Sequence, residues 1–360
     1  MNIFRKNFKN KRVIITGHTG FKGSWLTLWL KILGANVLGI SNGIITKPSN
    51  FRILELEKKI NHKNFDIRNI KKLKKTFNSY RPDYIFHLAA QSLVQKSYKE
   101  PVNTFETNTL GTLNILEALK EIKNKCTVIL ITSDKSYKNL ELKRGYKEND
   151  LLGGLDPYSS SKGAAELIIQ SYVSSYFKNN KKILIGIARA GNVIGGGDWS
   201  QNRLVPDCIK SWSNNNRVIL RNPLSTRPWQ HVLEALGGYL LFAIKLSKNP
   251  KLHGEAFNFG PNNKNNFNVL SLVKLMKLDW KNVNWKFVKK NKSKVYESKL
   301  LKLNCSKAKK ILKWKSVLNF KETTRMTINW YFKFYKYRKE IKQFSINQIF
   351  NYQKIMMNRL

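Results

Sequence analysis

Residues 17–23, Gly-His-Thr-Gly-Phe-Lys-Gly, follow an apolar run, Lys11–Thr16 (KRVIIT), and open a helical pattern with apolar positions at Trp25, Leu28, Trp29 and Ile32. A buried strand, a glycine turn and a helix in that order constrain the chain more than any other feature, because they set a helix N-terminus at a sheet edge. Gly17 permits the tight turn, Gly20 lets backbone approach a pyrophosphate, and Gly23 lets helix and strand pack closely, while the helix end supplies N–H groups and positive potential. The segment is therefore expected to cradle a dinucleotide with Gly17, Thr19, Gly20, Phe21, Lys22 and Gly23. The alternative is an accidental glycine-rich turn.

The same alternation continues downstream. Asn36–Ile40, Tyr84–Leu88, Thr127–Thr132 and Lys182–Ala188 read as buried strands, with helices over about Phe105–Lys120 and Ser159–Tyr176. Apolar strands separated by helices predict an α/β fold, a doubly wound parallel sheet covered on both faces. After about Arg189 the texture changes to glycine-rich loops, short strands such as Val218–Leu220 and helices such as Val232–Leu246. The expected division is a nucleotide-binding domain over residues 1–188 and a smaller substrate-binding lobe over 189–360, with chain crossings between them. Lys286–Lys302 is strongly basic and reads as a surface excursion.

The 66 Lys+Arg against 22 Asp+Glu give a net charge of +44. Such a surplus suggests a phosphate-rich partner. It is spread over the whole chain, lysine outnumbers arginine, and no nucleic-acid module accompanies it, so compositional drift is the favoured reading and no specific nucleic acid is expected. No apolar run reaches the roughly 18 residues of a membrane span, and the stretch after the N-terminus is too short for a signal peptide. Cys126, Cys208 and Cys305 are odd in number and widely spaced, so neither a disulfide framework nor a metal site is expected, and a cytoplasmic setting fits best.

Thr127–Thr132 runs into Ser133, Asp134 and Lys135, which would emerge at the carboxyl edge of the sheet, where such folds bind ligands. Tyr158 and Lys162 are four apart and share a helix face. A phenol is a poor base at its ordinary pKa of about 10, but a nearby ammonium and a nicotinamide cation would lower it, making Tyr158 a proton acceptor for a sugar hydroxyl that loses hydride. At the second strand's end, where an acidic residue would hold the adenosine ribose, stand Ser41 and Asn42, which leaves NAD against NADP undecided. Asp66 could hydrogen-bond the adenine, with Ile67 beside it, or could cap the helix that follows.

GHTGFKGSWL (17–26), FHLAAQSLVQKSY (86–98), TSDKSY (132–137), GLDPYSSSK (154–162), ARAGNVIGGGDW (188–199) and RPWQHVLE (227–234) together resemble the extended short-chain dehydrogenase/reductases, in particular the CDP-glucose 4,6-dehydratases. The resemblance runs essentially end to end, and the GxxGxxG spacing belongs to it. It departs at Asn304, where such stretches usually have Asp.

The resemblance implies an enzyme, a hydro-lyase with NAD that oxidises sugar carbon 4, loses water across carbons 5 and 6 and returns the hydride to carbon 6. Ser133, Asp134, Lys135, Tyr158 and Lys162 would be catalytic, with Asp134 the acid and Lys135 the base. A lysine base must be neutral to accept a proton, which cationic neighbours and burial favour. A plain Asp134–Lys135 ion pair is the competing reading. The resemblance further implies that Leu88, Ala89, Ala90 and Gln91 lie beneath the nicotinamide ribose. Asn108, Asn192, Arg203 and Arg227 would serve the nucleotide-sugar substrate, Asn108 by holding a water or a backbone carbonyl behind the site, with simple solvent exposure as its alternative. His87 and His231 read as packing residues, and Trp25, Trp29 and Trp330 as core.

Relatives pair through two long helices, so a homodimer or homotetramer using Phe105–Lys120 and Ser159–Tyr176 is expected, feeding deoxysugar synthesis for a surface glycan such as O-antigen. Another nucleotide-sugar dehydratase, a 4-epimerase and a non-catalytic nucleotide-binding protein are the alternatives.

Overall fold

The computed structural model describes residues 3–262, 267–280, 283–287 and 300–359. Strands β1 (Arg12–Thr16), β2 (Asn36–Ser41), β3 (Asn61–Asn64), β4 (Tyr84–His87), β5 (Cys126–Ile131) and β6 (Ile183–Ala190) form one parallel sheet with a seventh strand, Ala256–Phe259. From that last strand the spatial order is β6, β5, β4, β1, β2, β3, with Val13 registered between Val37 and Tyr84. This is the doubly wound arrangement expected from the apolar runs.

Successive residues of each strand face opposite layers. Val13, Ile15, Phe86, Ile129 and Ala188 pack with the helices Phe21–Ile32 and Val232–Lys248, while Ile14, Leu38, Ile85, Val128 and Ile185 pack with Ile70–Tyr80, Gly111–Leu119 and Pro157–Tyr172. Both faces are covered, so both sets must be apolar. Trp25, Trp29 and Trp330 are fully buried, as expected.

The boundary drawn at 188/189 falls inside β6, which continues to Ala190, and the chain later returns to the sheet as Ala256–Phe259. Residues on both sides of that boundary thus share one sheet. The closing helix Ile341–Arg359 braces the glycine-loop helix, where Trp29 meets Tyr352 edge-on at 5.8 Å, and is tied to Phe320–Lys336 by Trp330 Nε1, which donates to Ser345 Oγ at 2.8 Å. Asn319 and Glu322 start Phe320–Lys336 with a reciprocal capping box. The helix expected over Phe105–Lys120 starts earlier and is interrupted. Pro101–Phe105 and Gly111–Leu119 flank a π-helical turn, Glu106–Leu110. Of the basic stretch Lys286–Lys302, residues 288–299 lie outside the described residues.

Among the described residues no helix is long and apolar enough to cross a membrane.

Candidate active site

The glycine loop is pressed between β1 and β4. Gly17 has φ +74°, and a Cβ there would lie 2.7 Å from the backbone nitrogen of Ala89. A Cβ on Gly23 would lie 2.1 Å from the Gly17 carbonyl oxygen. Neither position accepts a side chain, and no side chain caps the N-terminus of Phe21–Ile32. Thr19 turns inward, donating to the Gly43 carbonyl at 2.7 Å and meeting Ser41 Oγ at 2.7 Å. Ser41 is thereby occupied in tying the loop to the end of β2.

Asp66 is not a helix cap. Asn69 caps Ile70–Tyr80 through Lys72, and the Asp66 carboxylate accepts from the Arg68 guanidinium and from Asn42 Nδ2 at 3.0 Å. Burial alone would raise Asp66, but these contacts hold it below the usual carboxylate range. The Ile67 side chain is buried against Gly111. Leu88, Ala89, Ala90 and Gln91 form the loop leaving β4, with the Leu88 and Ala89 nitrogens donating back to Thr16.

Asn108 lies behind that loop and is 1% exposed. Its Oδ1 accepts from the Gln91 nitrogen at 2.8 Å, and its Nδ2 donates to the Gln91 carbonyl at 3.0 Å and to Ser161 Oγ at 2.9 Å. It does not line the cleft, so its grouping with the substrate residues is corrected: its polar atoms are used inside the protein to hold a backbone carbonyl. It lies within the π-helical turn Glu106–Leu110.

Ser133, Asp134 and Lys135 leave the carboxyl end of β5 in a single 3-10 turn, and all three border one cleft of about 390 Å³ with Tyr158. Ser133 Oγ donates to Asp134 Oδ1 at 3.0 Å and accepts from the Lys135 nitrogen at 3.2 Å. Asp134 Oδ2 is buried without a hydrogen-bond partner among the described residues.

The helix Pro157–Tyr172 begins here because Asp156 caps it, accepting from the Ser159 nitrogen at 3.0 Å, with Pro157 at its first position. Tyr158 and Lys162 are both buried one turn apart on it. Burial raises the Tyr158 phenol above its ordinary value, against the downward pull of the Ser133 hydroxyl and Arg203, while Asp134 and Asp156 raise it further. The lowering expected for Tyr158 is therefore not produced by the chain alone. Lys162 is lowered to about 8 by burial, with Glu166 opposing. Lys22 is likewise lowered to about 8 by burial and by Arg203 and Lys162.

Asn192, Arg203 and Arg227 border the same cleft. Arg203 reaches Asp198 Oδ2 and Ser92 Oγ, each at 3.4 Å. Arg227 sits on a short antiparallel pair with Phe267. Asn192 Nδ2 is buried without a hydrogen-bond partner among the described residues. His87 bonds Thr16 Oγ1 at 2.7 Å and is lowered to about 3 by burial; His231 is lowered to about 3 in the same way and accepts from the Leu233 nitrogen. Both are neutral packing residues.

Residues 14–327 match the model of the GDP-mannose 4,6 dehydratase family. The chain belongs to this family. It is 44% identical over 332 residues to a CDP-glucose 4,6-dehydratase from Salmonella typhimurium, covering 91% of this chain and 92% of that protein. It is 25% identical to a CDP-paratose 2-epimerase from Salmonella typhi over 89% of this chain and 98% of that one. The fold superposes on an epimerase from Methanothermobacter thermautotrophicus (TM-score 0.78, 24% identity, 94% and 96% of the two chains). It also superposes on a dTDP-glucose 4,6-dehydratase from Streptomyces venezuelae with NAD bound (TM-score 0.76, 20% identity, 92% and 99%).

In this GDP-mannose 4,6 dehydratase family member, sequence reasoning missed the groups that hold the site in place. Glu166, one turn beyond Lys162, accepts from Thr132 Oγ1 at 2.6 Å and from Arg189, which also donates to Tyr137 at 2.7 Å. Gln230 donates to the carbonyls of Gly191 at 3.2 Å and Phe259 at 2.8 Å, anchoring the loop behind Asp134. The available signal was weak: a lone arginine in the apolar run ILIGIARA and a lone acid on a helix of small and apolar residues.

Proposed function

We propose that the chain is a CDP-glucose 4,6-dehydratase, forming CDP-4-keto-6-deoxyglucose with resident NAD. The observation that carries this reading is the convergence of two acid–base sets on one cleft: Tyr158 with Ser133, and Asp134 with Lys135, with Lys162 buried one helical turn beyond Tyr158. The first set suffices to oxidise and reduce a sugar alcohol. The second is needed only if water is also lost. The identity to the Salmonella dehydratase across nearly all of both chains supports cytidine as the base.

The glycine cradle, which admits no Cβ at Gly17 or Gly23, and the uncapped helix end beyond it fit a dinucleotide pyrophosphate. When bound, NAD supplies reversible storage of one hydride. Tyr158 takes the proton of the carbon 4 hydroxyl, with Ser133 orienting the same oxygen. Lys162, one turn away, would hold positive charge near the phenolate as it forms and would bind the ribose of the cofactor. The carbon 4 ketone makes the carbon 5 proton acidic, and Lys135 removes it. Asp134 gives a proton to the carbon 6 oxygen as it leaves as water. Arg203 and Arg227 face the diphosphate, for which a guanidinium fork is suited.

Phe105, Leu110, Leu167 and Tyr176 are 38%, 49%, 58% and 56% exposed on the helical segments expected to pair, which supports a homodimer closed by a four-helix bundle. A panel of CDP-, dTDP-, UDP- and GDP-hexoses analysed by mass spectrometry tests the function. Loss of one water from CDP-glucose alone is expected. An unchanged mass with a carbon 4 epimer from UDP-glucose would replace the reading with that of an epimerase.

A further inference from the structure

Lys22 is the second residue of Phe21–Ile32, the helix whose N-terminus closes the glycine cradle, and its side chain borders the cleft together with Ser133, Asp134, Tyr158 and Arg203. It therefore links the cradle to the acid–base groups. Among the described residues its ammonium makes no hydrogen bond and no ion pair. On one side Nζ stands over the buried ring of Tyr239, 5.9 Å from the centroid, a contact that attracts a cation without neutralising it.

A half-buried cation without a counter-ion is costly, and a methionine of similar length would fill the same space. Burial and the like charges of Arg203 and Lys162 lower Lys22 to about 8, against Asp134, so it still carries its charge at pH 7. What that charge does depends on what enters the cleft. A dinucleotide whose pyrophosphate rests on the cradle and whose nicotinamide reaches Tyr158 has to run alongside Lys22. The nicotinamide of NAD is a cation that becomes neutral on taking a hydride, so the ammonium repels the oxidised ring and not the reduced one.

We propose that Lys22 makes the resident NAD a stronger hydride acceptor, its fixed ammonium disfavouring the oxidised cofactor relative to the reduced one. This rests on the reading of the chain as an NAD-holding 4,6-dehydratase. In the step that Lys22 favours, the bond between sugar carbon 4 and its hydrogen breaks and the electron pair passes with that hydrogen to the nicotinamide. The alcohol carbon is oxidised, the cofactor is reduced, and the hydroxyl proton goes to Tyr158. The same charge opposes the return of hydride to carbon 6. Because the cofactor ends the cycle as it began, the overall equilibrium is untouched and only the balance between the two halves is set. A charge held in place before the reaction acts without a cost of reorganisation.

The test equilibrates the NAD-loaded enzyme at pH 7 with mixtures of NAD and NADH and reads the bound ratio by chromatography after release. Lys22→Met, and independently Lys22→Gln, is expected to shift that ratio toward NAD by roughly tenfold relative to wild type. Lys22→Arg keeps the charge and should restore most of the wild-type ratio. During turnover of CDP-glucose, the standing fraction of reduced nicotinamide, read by absorbance, should be lower in both neutral variants. Equal bound ratios in wild type and the neutral variants would overturn the proposal. So would an equal loss of both cofactor forms, which would make Lys22 a pyrophosphate ligand, or a raised KM for CDP-glucose at an unchanged ratio, which would assign it to the substrate. Each of these leaves the dehydratase reading intact. A wild-type enzyme that holds the cofactor but dehydrates no CDP-glucose would overturn that reading, while the bound ratios would still decide the role of Lys22.

Discussion

The Nε of Arg189 lies 2.9 Å from both carboxylate oxygens of Glu166, where neither side chain meets solvent. The pair links the end of β6 to the helix carrying Tyr158 and Lys162, and through Thr132 it reaches the residue before Ser133. The catalytic strand end and the catalytic helix are thereby held to one another by a buried ion pair and not by apolar contact alone.

Removing one partner of such a pair strands the other charge. Glu166→Gln is expected to lower the unfolding free energy by about 3–5 kcal/mol. Urea denaturation of the two proteins measures this, and equal midpoints would show that the pair contributes nothing.

Gly191 is a separate handle on the acid. A Cβ there would lie 1.8 Å from Asp134 Oδ2. Gly191→Ala is expected to displace that carboxylate and cut dehydration about a hundredfold while sparing cofactor content, since no glycine-loop atom is involved. Steady-state kinetics beside a cofactor assay checks the split.

Asn108 holds the Gln91 loop from behind. Asn108→Leu removes the partners of a buried backbone N–H and carbonyl, and a loss of about 1–3 kcal/mol for each group left unpaired is expected. If the loop lies under the cofactor ribose, affinity for NAD should fall with it, as calorimetric titration of the apoprotein would report.

The buried lysines give stability a pH dependence of definite sign. Lys162 is lowered from 10.5 to about 8. Between those values the unfolded chain binds the proton that the native chain has released, so this residue adds stability as pH rises through that window. Below about pH 8 the burial of its charge is a cost. Lys162→Met is therefore expected to be most favourable relative to wild type near neutrality and to lose that advantage as pH climbs from 8 toward 10.5. Urea melts of both apoproteins across that range test it, and a constant difference would contradict the assignment.

Much of the architecture was legible because strands covered on both faces need an apolar centre, and Val13–Ile15, Val37–Ile40, Tyr84–Phe86, Val128–Ile131 and Ile183–Ala188 supply one. Strand β3, Asn61–Asn64, is polar and only partly buried at the sheet edge, so it carried no such signal. The catalytic residues were legible as a pattern of residue types at a strand end and on one helix face. That Asn108 holds a backbone carbonyl behind the site was legible, whereas its second partner, Ser161, lies 53 residues away and carried no local signal. Glu166 and Arg189 were missed for a related reason: a buried ion pair between distant segments has no local periodicity. The expected lowering of Tyr158 is outweighed in the chain by burial, with Asp134 and Asp156 adding to it against the pull of Ser133 and Arg203.

The central claim is that Tyr158 and the Asp134–Lys135 pair work in sequence on one sugar, with the hydride kept inside the site between the two events. CDP-glucose carrying deuterium at carbon 4 tests this directly when it is converted in ordinary water by the NAD-loaded enzyme. The account predicts a product lighter by one water, with the deuterium recovered at carbon 6 and solvent hydrogen at carbon 5. Deuterium retained at carbon 4, or lost to solvent, would contradict it.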